Sequence, residues 1–397
     1  TVAAKITATG LTVGSLEIGH GANGDINSTA VGTAALNSNV SATTAIRNTA
    51  IGVNALTALN DNAADDNTMV GAQTGAVITS GQRNTGVGSY ALDGTDDGVR
   101  NTAVGFNSLG ANCADDNVAV GHDALNAYTA SNATAVGAYA ADAATSAGYL
   151  TAVGYNALTS LTDGTGNTAV GYGSLYELTT GDYNTAVGHA AGQDTYGDHN
   201  TFMGRYAGLY AGDTDHCVAI GSSALQGVTF TDSTCDYDDD PTVTHNADTR
   251  IVAGLVVSGT GIPVGSIIAS ITDSTHFELN QATTGGAVTN GTLTFRSNQG
   301  DYNIAIGSYA GDAITTGDKN VLAGHQAGTE LLAGGNNVLL GYQTGDSLIN
   351  ASSSVAIGSY ALSTEDVSAG NVAIGYQALQ DQNVDNANNV AVGYQSA

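Results

Sequence analysis

The most regular feature of the chain is a short alternation of polar, small and β-branched residues that ends on glycine. Its commonest form, Asn-Thr-Ala-Val-Gly, occurs at 101–105, 167–171 and 184–188. The glycine recurs 18 times, mostly at intervals of 16 or 17 residues, with steps of 18 to 20 residues near the two ends. Three residues of alternating character predict a very short β-strand. A period this constant predicts a solenoid in which each repeat forms one coil.

Each position of the repeat has a predicted role. The β-branched residue before the glycine is predicted to face the interior of the coil. The glycine is predicted to hold a corner where φ is positive or two backbones approach closely. The Asn follows a turn, and one Asn per coil predicts a ladder of stacked side-chain amides. The predicted interior residues are Val104, Val120, Val136, Val153, Val170, Val187, Ile220, Ile306, Ile357 and Ile374. The predicted corner glycines are Gly105, Gly121, Gly137, Gly154, Gly171, Gly188, Gly307, Gly324, Gly341, Gly358 and Gly375.

A second apolar pair, such as Ala91-Leu92 or Ala157-Leu158, follows the glycine by three residues, and a polar turn then closes the coil. One coil of about 17 residues buries too little surface to be stable alone, so neighbouring coils are expected to stack. The predicted fold is therefore all-β, a repetitive parallel β-roll or β-solenoid. At about 4.8 Å per coil, 18 coils predict a rod of roughly 85 Å.

The repeat is interrupted once. Gly221 and Gly307 lie 86 residues apart, about 69 residues more than one period. Longer alternating segments in this interval, such as 251–257 and 276–279, predict a small antiparallel β-barrel or sandwich inserted in one coil. The module has two interpretations, a receptor-binding knob or a spacer and lateral docking module. The predicted division is an N-terminal lead-in segment at 1–27, coils at 28–227, the inserted β-module at 228–296 and coils at 297–397.

The charge balance limits the choice of partners. The 397 residues include 36 acidic and 8 basic side chains, for a formal net charge of −28. Phosphate binding depends on Lys and Arg, so nucleic acid is not expected as a partner. The sequence also has no run of about 18 apolar residues, so membrane insertion is not expected.

The acidic residues suggest one metal. Asp accounts for most of them and is concentrated in turns, where it bonds its own backbone. Asp side chains stacked at coil spacing would also repel one another, and Ca²⁺ or Mg²⁺ would relieve that repulsion. The densest cluster, Asp236, Asp238, Asp239 and Asp240, is therefore the candidate Ca²⁺ site, although it lacks the spacing of an EF-hand loop. No other cofactor is expected.

Catalytic signatures are absent from the sequence. It has five Glu, none of them beside a partner in a distinctive segment, and no Gly-x-Ser-x-Gly elbow, P-loop or His-Glu-x-x-His motif. Cys113, Cys217 and Cys235 are odd in number and far apart, which indicates neither a zinc site nor a disulfide framework. We therefore predict a protein that is not an enzyme.

Tyrosine recurs one or two residues after the glycine. A ladder of these rings has two interpretations, a platform that stacks on sugars or a packing column and subunit contact. The members of the column are Tyr90, Tyr139, Tyr155, Tyr172, Tyr206, Tyr309, Tyr342, Tyr360, Tyr376 and Tyr394.

Units such as Thr-Ala-Val-Gly-Tyr-Asn-Ala-Leu at 151–158 and Asn-Val-Ala-Ile-Gly-Tyr-Gln-Ala-Leu at 371–379 resemble repeats of bacteriophage tail fibres. They are also similar to the head repeats of trimeric autotransporter adhesins, which build a left-handed parallel β-roll. The adhesin repeat is shorter, near 14 residues, so the period of this chain favours the phage-type shaft. The resemblance implies a homotrimer, because both families are trimeric.

The function implied by this resemblance is that of a structural fibre or spike protein of a phage virion, a rod for host attachment. Its expected partners are two further copies of the chain, other virion tail proteins, and a host surface glycan or protein receptor. The alternative is a bacterial surface adhesin or extracellular filament subunit, located at the cell surface. An ice- or mineral-binding solenoid would need an unbroken face of Thr, and Val interrupts that position at Val118 and Val218 and in later coils.

Overall fold

A computed structural model describes residues 10–13, 16–20, 27–37, 45–60, 64–248, 250–297, 300–364, 369–380 and 388–397. The chain forms two compact units, 1–184 and 185–397. The described residues contain strands and turns but no helix, and the predicted all-β solenoid with an inserted antiparallel module is confirmed. Residues 1–9, 14–15 and 21–26 of the predicted lead-in segment lie outside the described residues.

In the unit 1–184, an antiparallel pair of strands precedes a series of three-residue strands, one per coil. The second strand of that pair joins the first coil in antiparallel fashion, and the coils then pair in parallel. Equivalent residues lie side by side, so Thr151, Ala152 and Val153 pair with Thr168, Ala169 and Val170. The described strands of this unit are β1 Gly10–Val13, β2 Leu16–Gly19, β3 Thr29–Val31, β4 Thr49–Ile51, β5 Thr68–Val70, β6 Thr85–Val87, β7 Thr102–Val104, β8 Val118–Val120, β9 Thr134–Val136, β10 Thr151–Val153 and β11 Thr168–Val170.

The unit 185–397 has the same parallel coils and carries the inserted module. β14 pairs in parallel with β21, so the stack of coils resumes directly after the module. The coil strands are β12 Thr185–Val187, β13 Thr201–Met203, β14 Val218–Ile220, β21 Ile304–Ile306, β22 Val321–Ala323, β23 Val338–Leu340, β24 Val355–Ile357, β25 Val372–Ile374 and β26 Val390–Val392.

The module is one antiparallel sheet in the order β17-β20-β15-β16-β19-β18. Its core is a cluster of large apolar side chains that includes Phe277, Phe295, Leu293 and Leu255, all fully buried. The module strands are β15 Thr229–Tyr237, β16 Thr242–Thr244, β17 Val256–Gly259, β18 Ile268–Asp273, β19 His276–Leu279 and β20 Val288–Arg296.

The prediction that the residue before the glycine faces the coil interior is wrong. In the coil strands the middle residue is the buried one, as at Ala103 and Ala169, whereas the residues on either side are partly exposed. Side chains alternate along a strand, so the first and third positions share the outer face. The interior is narrow, and most coils therefore place Ala there. The ten residues wrongly predicted to be interior are Val104, Val120, Val136, Val153, Val170, Val187, Ile220, Ile306, Ile357 and Ile374.

The repeated Asn forms the predicted ladder, with a geometry that links each coil to the next. The backbone N–H of Asn101 donates to Oδ1 of Asn84 at 2.8 Å, and Nδ2 of Asn101 donates to the carbonyl of Ala114 at 2.7 Å. The next residue of the column, Asn117, repeats the first of these bonds onto Oδ1 of Asn101 at 2.9 Å. Because these side chains are buried, each bond satisfies a backbone group that water cannot reach.

In two coils another side chain supplies one of the bonds of the missing Asn. Cys217 stands in place of Asn, and its Sγ accepts from the N–H of Asn303 at 3.4 Å. Ala133 also replaces Asn, and there the buried hydroxyl of Tyr128 donates to the carbonyl of Ala147 at 2.6 Å. Burial raises the pKa of Cys217 and of Tyr128 to about 12.

The corner glycines have a positive φ and also lie where two backbones approach closely, the two conditions that favour glycine. All eleven have φ between 131° and 149°, and a Cβ on Gly154 would lie 2.3 Å from the carbonyl oxygen of Gly171. The eleven are Gly105, Gly121, Gly137, Gly154, Gly171, Gly188, Gly307, Gly324, Gly341, Gly358 and Gly375. The coils also turn at non-glycine residues in the left-handed region, as at Tyr90, Leu92 and Arg100, which the sequence analysis missed.

Candidate functional site

The outer face of the coil strands is the first candidate surface. In the unit 1–184 it presents a column of Thr beside a column of Val or Ile, with Val118 replacing Thr in one coil. From β14 onwards, in the unit 185–397, both columns are apolar. The side chains of Ile306 and Ile357 are 45% and 37% exposed. No outward position of the eighteen coil strands carries a charge.

A second surface is an aromatic ladder along one edge of the coils. In the unit 1–184 the rings follow one another from coil to coil with centroids 5.2 to 6.0 Å apart. The unit 185–397 has an equivalent ladder, from Tyr309 to Tyr394. The sequence analysis found the tyrosines but missed Phe106, His122 and His325, which occupy the same column. Because each ring packs against its neighbours, the geometry favours a packing column over a platform for sugars.

The acidic turns are explained by bonds between coils. Oδ1 of Asp115 accepts from the N–H of Val99 at 2.9 Å, and Oδ1 of Asp182 accepts from the N–H of Thr165 at 2.7 Å. Asp215 accepts in the same way from the N–H of Asp198 at 2.7 Å. An Asp at this position therefore satisfies the backbone of the preceding coil.

The four residues of the candidate Ca²⁺ site lie at one edge of the inserted module, and three of them accept backbone hydrogen bonds. Oδ1 of Asp236, Asp239 and Asp240 accepts from the backbone N–H of Asn290, Gly286 and Thr242, at 2.7 to 2.9 Å. Asp236, Asp238 and Asp240 line one shallow groove at the edge of the module. Across the described ranges, no three His, Cys, Asp or Glu side chains are grouped as a metal site requires.

The inserted module contains two buried polar side chains that the sequence analysis did not single out. Both ring nitrogens of His245 and Oδ2 of Asp232 are buried without a hydrogen-bond partner. The ring of His245 lies 5.6 Å from that of Phe277. Burial lowers the pKa of His245, while the negative charges of Asp232 and Asp248 oppose that shift.

The third candidate is a cleft between the module and the coils of the unit 185–397, here called the neck cleft. Its volume is about 560 Å³. Tyr196, Tyr210, Asp194 and Asp213 line it from the coils. Val256, Ile262, Pro263, Ile267 and Arg296 line it from the module. The guanidinium of Arg296 lies 3.8 Å from the carboxylate of Asp194, which is nearly buried at the base.

Hydrogen bonds beside the neck cleft connect the inserted module to the coils. The N–H of Val228 donates to Oγ of Ser297, and the N–H of Ser297 donates to the carbonyl of Val228, both at 2.9 Å. Oγ of Ser297 also donates to the carbonyl of Tyr210 at 3.1 Å. These bonds join the two ends of the module to each other, and the Ser297 hydroxyl connects them to the coil at Tyr210, which lines the cleft.

The described part of the chain contains no helix that could cross a membrane. No protein-family model, no curated protein and no solved structure matches the chain. The arguments for its function therefore come from the surfaces described above.

Proposed function

We propose that the chain is a non-enzymatic structural subunit of a phage tail fibre or spike, which assembles as a homotrimer and serves as a rod for host attachment. The observation that carries this proposal is the uncharged outer face of the coil strands. Burying contiguous apolar surface drives association. A repeated strip of half-exposed Val and Ile is the kind of surface that marks a protein interface.

The charge distribution supports the choice of this face. Copies of a chain with a net charge of −28 repel one another, so a stable contact has to avoid the acidic turns. The outer face of the strands does so, because its two columns consist of Thr, Val, Ile, Leu, Met and Ala alone.

The periodicity supports a second copy of the chain as the occupant. Side chains on this face repeat once per coil, with equivalent residues in register. Another copy has the same spacing, so its columns match over many coils. A partner that lacks a repeat of about 4.8 Å along the stack would not match these columns. Many weak contacts in register add up to a stable assembly.

The proposed location is the virion, with other tail proteins at its ends and a host surface glycan or protein as the receptor. A bacterial adhesin or extracellular filament subunit remains the alternative, because the same face would assemble it. Immunogold labelling separates the two proposals. Antibodies against the chain label purified phage particles if it is a fibre, and label intact bacterial cells if it is an adhesin.

Light scattering of the purified chain tests the assembly. The expected mass is three times the 39.4 kDa of one chain. The double variant Ile357→Glu and Ile374→Glu places two charges on the outer face and is expected to give the mass of a single chain. The matched control is Val53→Glu, at a 52% exposed position that lies off the coil strands. A monomeric wild type, or a trimer that survives the double substitution, would contradict the proposal.

A further inference from the structure

We propose that the neck cleft binds one neutral hexose unit of a surface glycan. This inference rests on the proposed function, since it assigns the receptor contact of an attachment fibre to a particular place in the chain. The cleft volume of about 560 Å³ lies within the range of about 300 to 1,000 Å³ that is usual for small-ligand sites.

The lining matches the two kinds of surface on a pyranose ring. Such a sugar has apolar C–H patches and a rim of hydroxyls that donate and accept hydrogen bonds. Val256, Ile262 and Ile267 supply an apolar wall, and Tyr196 and Tyr210 supply rings with polar tips on the opposite side. A ligand with one apolar face and one hydroxyl rim therefore finds both complements in this cleft.

The charged groups select for an uncharged sugar. Asp194 and Asp213 offer carboxylate oxygens that accept from hydroxyls, and Arg296 offers N–H donors. Two carboxylates and one guanidinium leave the lining formally negative, on a chain that is itself strongly acidic. Sialic and uronic acids would bring a further negative charge into this cleft, and we expect them to be excluded.

The cleft also has the rigidity that weak sugar binding requires. Ser297 and Val228 fix the neck of the module through the hydrogen bonds given above. Little conformational entropy is then lost when a ligand binds. A spacer module would not need two tyrosines and three charged groups to face a common cleft at its point of attachment.

Saturation-transfer NMR on the full chain tests this inference. The probes are the methyl glycosides of glucose, galactose, mannose and N-acetylglucosamine, with those of glucuronic acid and N-acetylneuraminic acid as the anionic set. We expect at least one neutral glycoside to bind and neither anionic one to do so. Binding confined to the anionic set, or no binding at all, would overturn the proposal.

Substitutions in the lining then test whether the sugar binds in the neck cleft. Asp213→Asn at the exposed rim and Tyr196→Ala are each expected to weaken binding about tenfold, the size of effect that follows loss of one good polar or stacking contact. Tyr196→Phe keeps the ring and is expected to weaken binding less. Asp239→Asn, in an exposed turn away from the cleft, is the matched control. Unchanged binding in the cleft variants would overturn the assignment of the site.

Light scattering and circular dichroism on the same samples keep the two proposals separate. A folded trimer that binds no neutral sugar contradicts the neck cleft proposal alone. A monomer that binds a neutral sugar contradicts the trimeric fibre alone.

Discussion

The coils and the inserted module form their cores in different ways. A coil buries one residue of its strand, usually Ala, together with an apolar residue of the following turn such as Leu92 or Leu158. It satisfies backbone groups of the neighbouring coil through side chains such as Asn101 and Asp115. The module packs large side chains, including Phe277 and Phe295, into one local cluster. Stability is therefore shared between neighbours in the coils but held locally in the module. A destabilising substitution in a coil is therefore expected to lower the stability of several neighbouring coils. One in the module is expected to lower the stability of the module alone.

The largest effect is expected from Ala169→Asp. Ala169 is fully buried in the centre of its coil, and a carboxylate there would have no partner. An unpaired buried charge costs about 4 kcal/mol or more. We expect several coils on either side to lose protection in hydrogen–deuterium exchange, because each coil satisfies its neighbour.

The control for Ala169→Asp is Ala169→Gly, since another coil already has Gly86 in the same column. That variant is expected to cost only about 1 kcal/mol. Loss of protection limited to the single coil of Ala169 would contradict the view that coil stability is shared.

Phe277→Ala tests whether the stability of the inserted module depends on its own local core. Phe277 is fully buried, and its ring centroid lies 5.8 Å from that of Phe295 in an edge-on contact. Removal of a buried Phe side chain costs about 3 to 5 kcal/mol. Peptides from 229–296 are expected to exchange faster, while those from 321–357 remain unchanged. Equal loss in both regions would show that the module and the coils unfold together.

The same contrast explains how much of the fold the sequence could predict. The period predicts the coils, because a repeated Gly with a positive φ and a repeated Asn leave a signal in every unit. The inward side chain was predicted wrongly because Val170 is more apolar than Ala169, although alternation places both Thr168 and Val170 on the outer face. Hydrophobicity alone cannot locate the interior when most coils place Ala at the inward position and a larger Val or Ile on the outer face.

The candidate surfaces were less predictable than the coils. The neck cleft joins Asp194 to Arg296, residues far apart in sequence that carry no shared motif. His122 and His325 belong to the aromatic ladder through position rather than residue type. Both arrangements depend on which residues of different coils lie side by side. The sequence shows this only when all repeats are aligned and each position is compared from coil to coil.

Tyr128→Leu tests whether one side chain can replace another in the ladder between coils. The variant removes the hydroxyl that donates to Ala147 and leaves a buried carbonyl unpaired, a loss of about 1 to 3 kcal/mol. Other coils combine Leu at this position with Asn six residues later, as Leu161 and Asn167 do. Adding Ala133→Asn to Tyr128→Leu is therefore expected to restore most of the lost stability in urea unfolding. If Tyr128→Leu and Ala133→Asn each lower the free energy of unfolding and their effects add in the double variant, then the Tyr128 hydroxyl does not take the place of an Asn donor.

The last comparison is a response to acid, which is expected to differ in sign between the two regions. Burial lowers the pKa of His245 in the module below its ordinary value of 6.5. The unfolded chain then binds a proton more readily, so module stability is expected to fall as the pH drops below about 6.5. In the coils, burial raises the pKa of Asp312 from 3.8 to about 7. Folded coils therefore bind the proton more readily, and their stability is expected to rise as the pH falls from 7.5 towards 4.

Hydrogen–deuterium exchange at pH 7.5, 6.5 and 5.5, corrected for the intrinsic exchange rate, separates these contributions by region. Acid is expected to weaken protection of peptides from 229–296 and to strengthen that of coil peptides around Asp312. The variant His245→Phe should remove the first trend and Asp312→Asn the second, each without affecting the other. A carboxylate such as Asp273, with a pKa lowered to about 2 by its bond to His276, stays ionised throughout this range. Changes of the same sign in both regions would show that other groups dominate and that acid does not distinguish the module from the coils.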